Sequence, residues 1–181
     1  MKNSAIDQIL IHLYNCIDTG FSYRAKKMFL IDDLFLNSNW KNFSKEDMQK
    51  GFKNLKKLKL IVQNEKNDGS INFLLSEKGK LRALNSKFKL LNYRKKSWDK
   101  KWRMVAFDIP NTQRKERRAL QYRLKTAGFH ELQKSMFIYP YDCEQEIRDF
   151  VKLFKIEKYV CFGLLDFIDG RDYLMELFEL D

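Results

Sequence analysis

The sequence predicts an α+β chain in two parts: helices with a β-hairpin, followed by an antiparallel βαββαβ sheet domain. Three observations carry this expectation. A capped, lysine-rich helix runs directly into two short apolar strands about a turn; an aperiodic basic stretch, 94–101, breaks the pattern; beyond it the apolar spacing reads strand, helix, strand, strand, helix, strand. With 181 residues, 44% hydrophobic and 33% charged, the chain is long enough to bury roughly 70% of its unfolded surface without metal or disulfide staples.

In order, Ile6, Ile9, Leu10, Leu13 and Ile17 recur at helical spacing, with Ser4 placed to cap and Gly20 to stop the helix. Residues 23–37 are mixed: Met28 to Ile31 fit strand or helix, and Leu34 and Phe35 favour a second helix. The third helix is sharply signalled, because Ser44 and Asp47 make a capping pattern and Phe43 can staple onto Met48. Its apolar seam is Met48, Phe52 and Leu55. Strands at 60–62 and 71–75 follow, turning through Asn67-Asp68-Gly69. Ser76 then starts a helix through Leu81, Leu84, Phe88 and Leu91, a core face or a short dimerisation seam.

These elements make residues 1–92 a winged helix-turn-helix, 93–101 a linker, and 102–181 a ferredoxin-like domain. In the latter, 102–109 is a strand closed by Pro110, and a helix buries Leu120, Leu124 and Ala127 before Gly128. Strands at 130–134 and 136–141 come next, then a helix with Ile147, Phe150, Val151 and Phe154. A strand at 159–167 precedes a terminal helix bearing Tyr173, Leu174, Leu177 and Phe178. Two helices on one sheet face leave the other to be covered by the terminal helix or by a second copy of the chain.

The formal net charge of +11 is unevenly spread: residues 1–101 hold 22 Lys/Arg against 10 Asp/Glu, and residues 131–181 hold 6 against 12. Such asymmetry points the N-terminal part towards a polyanion. Cys16, Cys143 and Cys161 have neither disulfide nor zinc spacing, and no apolar run reaches membrane-spanning length. A cytoplasmic protein is expected.

Residues 98–110, Trp-Asp-Lys-Lys-Trp-Arg-Met-Val-Ala-Phe-Asp-Ile-Pro, resemble the hallmark of PaaX-like transcriptional regulators. The basic helix 114–125 and the strand 134–140 continue the likeness. The resemblance implies a winged helix domain ahead of a domain similar to the CRISPR spacer-acquisition subunit Cas-two, a ferredoxin-like dimer, and a homodimeric DNA-binding repressor. Longer members of that family carry a further C-terminal domain tied to acyl-CoA response; this sequence ends at Asp181, and no inducer is assigned.

On the third helix, Lys45, Gln49, Lys50, Lys53, Asn54, Lys56 and Lys57 are the expected contacts with duplex DNA, with Lys66 at the wing tip on phosphate. Gln and Asn can pair with adenine, Lys with guanine or phosphate. The competing reading is a solvated lysine face. Arg114, Lys115, Arg118 and Lys125 share one helix face and form either a second DNA or partner surface or a set of partners for the acidic C-terminal part. Asp108 stands where the Cas-two resemblance places a metal-binding aspartate, so the alternative function is a Mg2+-dependent nuclease; the favoured reading has Asp108 capping the following turn. No nucleophile and base pair, His ligand pair or Gly-rich phosphate loop is legible. Trp98, Trp102 and Tyr93 are expected to pack rather than stack bases.

Overall fold

The computed structural model describes residues 5–18, 23–26, 44–65, 67, 70–91 and 97–180. The chain divides into two compact units, Met1–Ser86 and Lys87–Asp181. No helix among the described residues is long and apolar enough to cross a membrane.

The N-terminal unit contains α1 (Ala5–Asp18), β1 (Tyr23–Lys26), α2 (Lys45–Lys57), β2 (Ile61–Glu65), β3 (Ser70–Leu75) and the start of α3 (Glu77–Leu91). The capping pattern read at Ser44 is complete: its hydroxyl accepts from the Asp47 N–H, and the Asp47 carboxylate accepts from the Ser44 N–H. β2 and β3 pair antiparallel with Val62 opposite Leu74. Their alternation sends Ile61, Phe73 and Leu75 inward, where they meet Ile9, Leu10 and Leu13 of α1 and Phe52 and Leu55 of α2. Phe52 meets Phe73 edge-on at 5.7 Å.

The sequence reading assigned no element to residues 23–26. Residues 23–26 form a strand on the far side of β3, giving a three-stranded antiparallel sheet in the order β1-β3-β2. A four-residue strand has no usable period of its own, and only pairing with β3, about fifty residues away, defines it. The second-helix reading through Leu34 and Phe35 lies outside the described residues, as does the turn at 68–69.

The C-terminal unit runs β4 (Trp102–Phe107), a 3-10 turn (Asn111–Gln113), α4 (Arg114–Thr126), β5 (His130–Gln133), β6 (Met136–Tyr139), α5 (Glu144–Phe154), a second 3-10 turn (Glu157–Tyr159), β7 (Val160–Leu165) and α6 (Arg171–Leu177). Its four strands are ordered β5-β6-β4-β7, every neighbouring pair antiparallel, which is the ferredoxin-like order. Val105, Phe107, Phe137 and Tyr139 point to one face and pack with Leu120 and Leu124 of α4 and Ile147 and Phe150 of α5. Trp102 and Ile138 point to the other and lie with Leu174 of α6, against which Met175 and Phe178 also pack. The terminal helix thus covers part of that second face.

Several strand ends fall short of the sequence reading. β4 stops at Phe107; its end is still held by the Phe107 N–H donating to the Ser135 carbonyl (3.0 Å) and the Asp108 N–H to the Tyr159 carbonyl (2.9 Å), and Pro110 beyond them offers no donor. β5 and β6 end at Gln133 and Tyr139, with a turn at 134–135 in which Ser135 takes a left-handed φ of 67°. β7 spans six residues rather than nine.

The boundary between the units also differs from the expected linker: it falls between Ser86 and Lys87, inside α3. Phe88 and Leu91 belong to the C-terminal core, Phe88 lying edge-on to Phe150 at 5.8 Å, and the Tyr139 hydroxyl donates to the Leu91 carbonyl at 2.9 Å. The described part of the basic stretch is tied down as well. Arg103 grips Asp99 through two 2.6 Å hydrogen bonds and donates to the Pro140 carbonyl, which holds the Asp99 carboxyl below its ordinary range. The Trp98 indole donates to the Lys101 carbonyl and lies 5.0 Å from Trp102, so both tryptophans pack, whereas Tyr93 lies outside the described residues.

Candidate nucleic-acid interface

Helix α2 separates its residues by chemistry. Gly51, Phe52 and Leu55 are buried, while Gln49, Lys50, Lys53, Asn54, Lys56 and Lys57 are all exposed. Glu46 and Asp47 stand in the first turn and Lys56 and Lys57 in the last, the arrangement that complements the helix dipole. The Glu46 carboxyl is held below its ordinary range by hydrogen bonds from its own backbone N–H and from Ser44. The exposed face therefore presents ammonium groups interleaved with two carboxamides, with no acidic side chain beyond the first turn. Lys56 differs from the rest, its ammonium lying 5.3 Å from the centre of the Phe73 ring, which draws it towards the hairpin. Lys45 begins the helix, and Lys66 lies outside the described residues.

Sequence reasoning did not single out the outer face of the hairpin. Val62 and Leu74, opposite one another across β2 and β3, are both exposed, as is Leu58 at the end of α2. The alternation of strands signalled it, since Ile61 and Leu75 inward force Val62 and Leu74 outward.

On α1, burial lowers the imidazole pKa of His12. The neutral ring is thus favoured by the folded N-terminal unit. Below the ordinary imidazole value of 6.5, the unfolded chain takes up a proton that the folded one resists, so stability falls as pH drops through that value. Urea unfolding of the wild type at pH 7.5 and 5.5 should show this loss for the N-terminal transition, and His12→Gln should flatten it; equal pH dependence in the two proteins would refute the assignment.

In the C-terminal unit the four cations singled out on α4 part company. Arg114 and Arg118 line a cleft of about 590 Å3, together with Arg117, Gln121 and Lys134. Lys115 is exposed but outside that lining. Lys125 forms a 2.6 Å ion pair with Glu131 of β5. The sequence reading missed Arg117 and Lys134: the first lies just off the face chosen, and the second reaches the cleft from the turn between β5 and β6.

Asp108 is exposed and lines a second cleft, of about 550 Å3, with Lys134 and Lys158 beside it. Its carboxylate makes no hydrogen bond or ion pair among the described residues, and the turn beginning at Pro110 has no side-chain cap, so the expected capping role is not what the structure holds. Among the described residues no three His, Cys, Asp or Glu side chains are grouped to hold a metal. Cys143 is buried, which pushes its thiol pKa up and leaves it unreactive, and Cys161 is an exposed free thiol.

None of the curated proteins matches the chain. Residues 95–172 match the family model described as the PaaX protein central Cas2-like domain. That segment covers every strand of the four-stranded sheet and both helices packed on its first face. Over those residues the C-terminal unit is similar to the PaaX central Cas2-like domain, which is consistent with a PaaX-like family member.

Proposed function

We propose that this protein is a sequence-specific double-stranded DNA-binding transcriptional regulator that acts as a homodimer and represses. The PaaX-type domain supports the regulatory class. The observation that carries DNA binding is the face of α2, on which Gln49, Lys50, Lys53, Asn54 and Lys57 stand exposed opposite buried Phe52 and Leu55. A helix lying in a major groove needs this division, with carboxamides and ammonium groups towards base edges and phosphates and an apolar seam holding it to its domain. In this reading the N-terminal unit is a winged helix-turn-helix, the β2–β3 hairpin is its wing, and Lys45 and Lys66 add phosphate contacts.

The dimer forms through the part of the second sheet face left open beside α6, around Ala106, Met136 and Cys161. It sets two recognition helices about 34 Å apart, in successive major grooves. A mass measurement returning a monomer at micromolar concentration would remove this part of the proposal.

The test is selection of bound genomic fragments at physiological salt, followed by titration on the recovered site. An inverted repeat is expected, with affinity falling steeply as salt rises because lysines release phosphate counterions. Lys53→Glu should weaken binding at least about 100-fold, and Gln49→Ala should relax base preference at about 1–3 kcal/mol; neither side chain is buried, so both variants should fold. If affinity survives both changes together, α2 is not the recognition helix. Random recovery of fragments, with cleavage in Mg2+ that Asp108→Asn abolishes, would favour the nuclease instead.

A further inference from the structure

Helix α4 concentrates cations at its N-terminal end. Its first five residues include Arg114, Lys115, Arg117 and Arg118, against Glu116 alone. A helix N-terminus already carries roughly half a positive charge, and cations there are unfavourable. The same chain obeys that rule elsewhere: α2 opens with Glu46 and Asp47, and α5 with Glu144 and Glu146. Residue Gln113 at the helix start provides no side-chain cap. The arrangement is therefore not explained by the stability of the helix, and a local rule broken without an internal compensation marks a site shaped for something else.

Three of those cations converge rather than fan out. Arg114, Arg117 and Arg118 line the cleft of about 590 Å3, and Lys134 enters from the turn between β5 and β6, with Gln121 and Ser135 alongside. The lining contains four cations and no carboxylate. Arg117, Gln121 and Ser135 are half-buried, whereas Arg114, Arg118 and Lys134 are exposed; Arg117 also donates through Nη1 to the Ile109 carbonyl at 3.5 Å. The geometry points to a binding site for a small ligand carrying two or more linked phosphate groups. Guanidinium groups present paired N–H donors that match phosphate oxygens, and several of them around one cleft match a ligand of several negative charges better than a single dianion. The size lies within the range of small-molecule sites. A duplex backbone, being convex, would meet the exposed cations more readily than the half-buried groups of the cleft. The site is independent of whether α2 docks on DNA.

The experiment uses the full chain and sodium tripolyphosphate at low ionic strength, followed by calorimetry and thermal unfolding. One tripolyphosphate should bind per chain and raise the unfolding temperature, and orthophosphate should bind at least about tenfold more weakly, as the loss of charge-assisted partners requires. The double variant R114Q/R118Q should lose at least about 100-fold in affinity. It should also unfold at a higher temperature than the wild type when no phosphate is present, because two cations are removed from the positive end of the helix. K134Q, outside that helix, should weaken binding without the rise in unfolding temperature, whereas K152Q on the exposed side of α5 should leave binding unchanged. Absence of tripolyphosphate binding, or binding equally retained in R114Q/R118Q and K134Q, overturns the proposal. So does a result in which the double variant lowers only the salt dependence of duplex binding, since the occupant would then be a nucleic-acid backbone.

Discussion

Replacing Lys87 by alanine is expected to destabilise the C-terminal unit by about 3–5 kcal/mol. The Lys87 ammonium and the Asp149 carboxylate meet at 2.7 Å with 8% and 4% of their side chains exposed, and the Gln145 carboxamide donates to the other Asp149 oxygen at 2.7 Å. Water does not screen such a pair, and deleting Lys87 leaves the Asp149 carboxylate buried without that ammonium. Surface pairs in the same unit, such as Arg148 with Glu144, are worth at most about 1 kcal/mol. The measurement is urea unfolding followed by the fluorescence of Trp98 and Trp102. Lys87→Met combined with Asp149→Leu should recover most of the loss, because apolar groups of similar volume carry no desolvation penalty. A single-variant loss below about 1 kcal/mol would show that the pair is hydrated in solution.

Gly79→Ala should cost the N-terminal unit about 3 kcal/mol, although Gly to Ala inside a helix ordinarily stabilises by about 1 kcal/mol. The sign reverses because a Cβ on Gly79 would fall inside the van der Waals shell of the Leu60 carbonyl oxygen and press on Leu75. That oxygen cannot retreat freely. It accepts from the Ser76 N–H (3.0 Å) and from the Ser76 hydroxyl (3.2 Å), which also donates to the Lys59 carbonyl and accepts from the Gly79 N–H. Accommodating a methyl group means pushing α3 off the β2 end of the hairpin and breaking this cluster. Circular dichroism through a thermal ramp checks it, and an alanine variant as stable as the wild type would show that α3 does not approach Leu60 so closely.

The legible parts of this protein were those with a local cause. Ser44 and Asp47 announced α2 three residues apart, and Phe52 and Leu55 announced its buried seam. The order of strands and helices after Trp102 was readable because each element there carries its own period. What escaped had a remote cause. Residues 23–26 become a strand only by pairing with β3. Lys87 carries no signal of its own in the sequence, and it is buried with Asp149 of α5 facing it. Arg117 was passed over on α4 because helical spacing alone ranks it beside the face rather than on it, and Lys134 gave no signal until the turn carried it to the same cleft.

By itself the sequence determined the class of the elements with a period of their own, the antiparallel βαββαβ order after Trp102, and the basic and polar outer face of α2, since periodicity, capping and composition act over a few residues; the likeness to PaaX-like regulators was carried by the residues at 98–110. Tertiary structure alone decided which charges are buried, where the two units divide within α3, and which cations of α4 share a cleft. Those outcomes depend on distances between residues tens of positions apart, and Coulomb and desolvation energies are set by that separation and by the exclusion of water, neither of which a local pattern encodes.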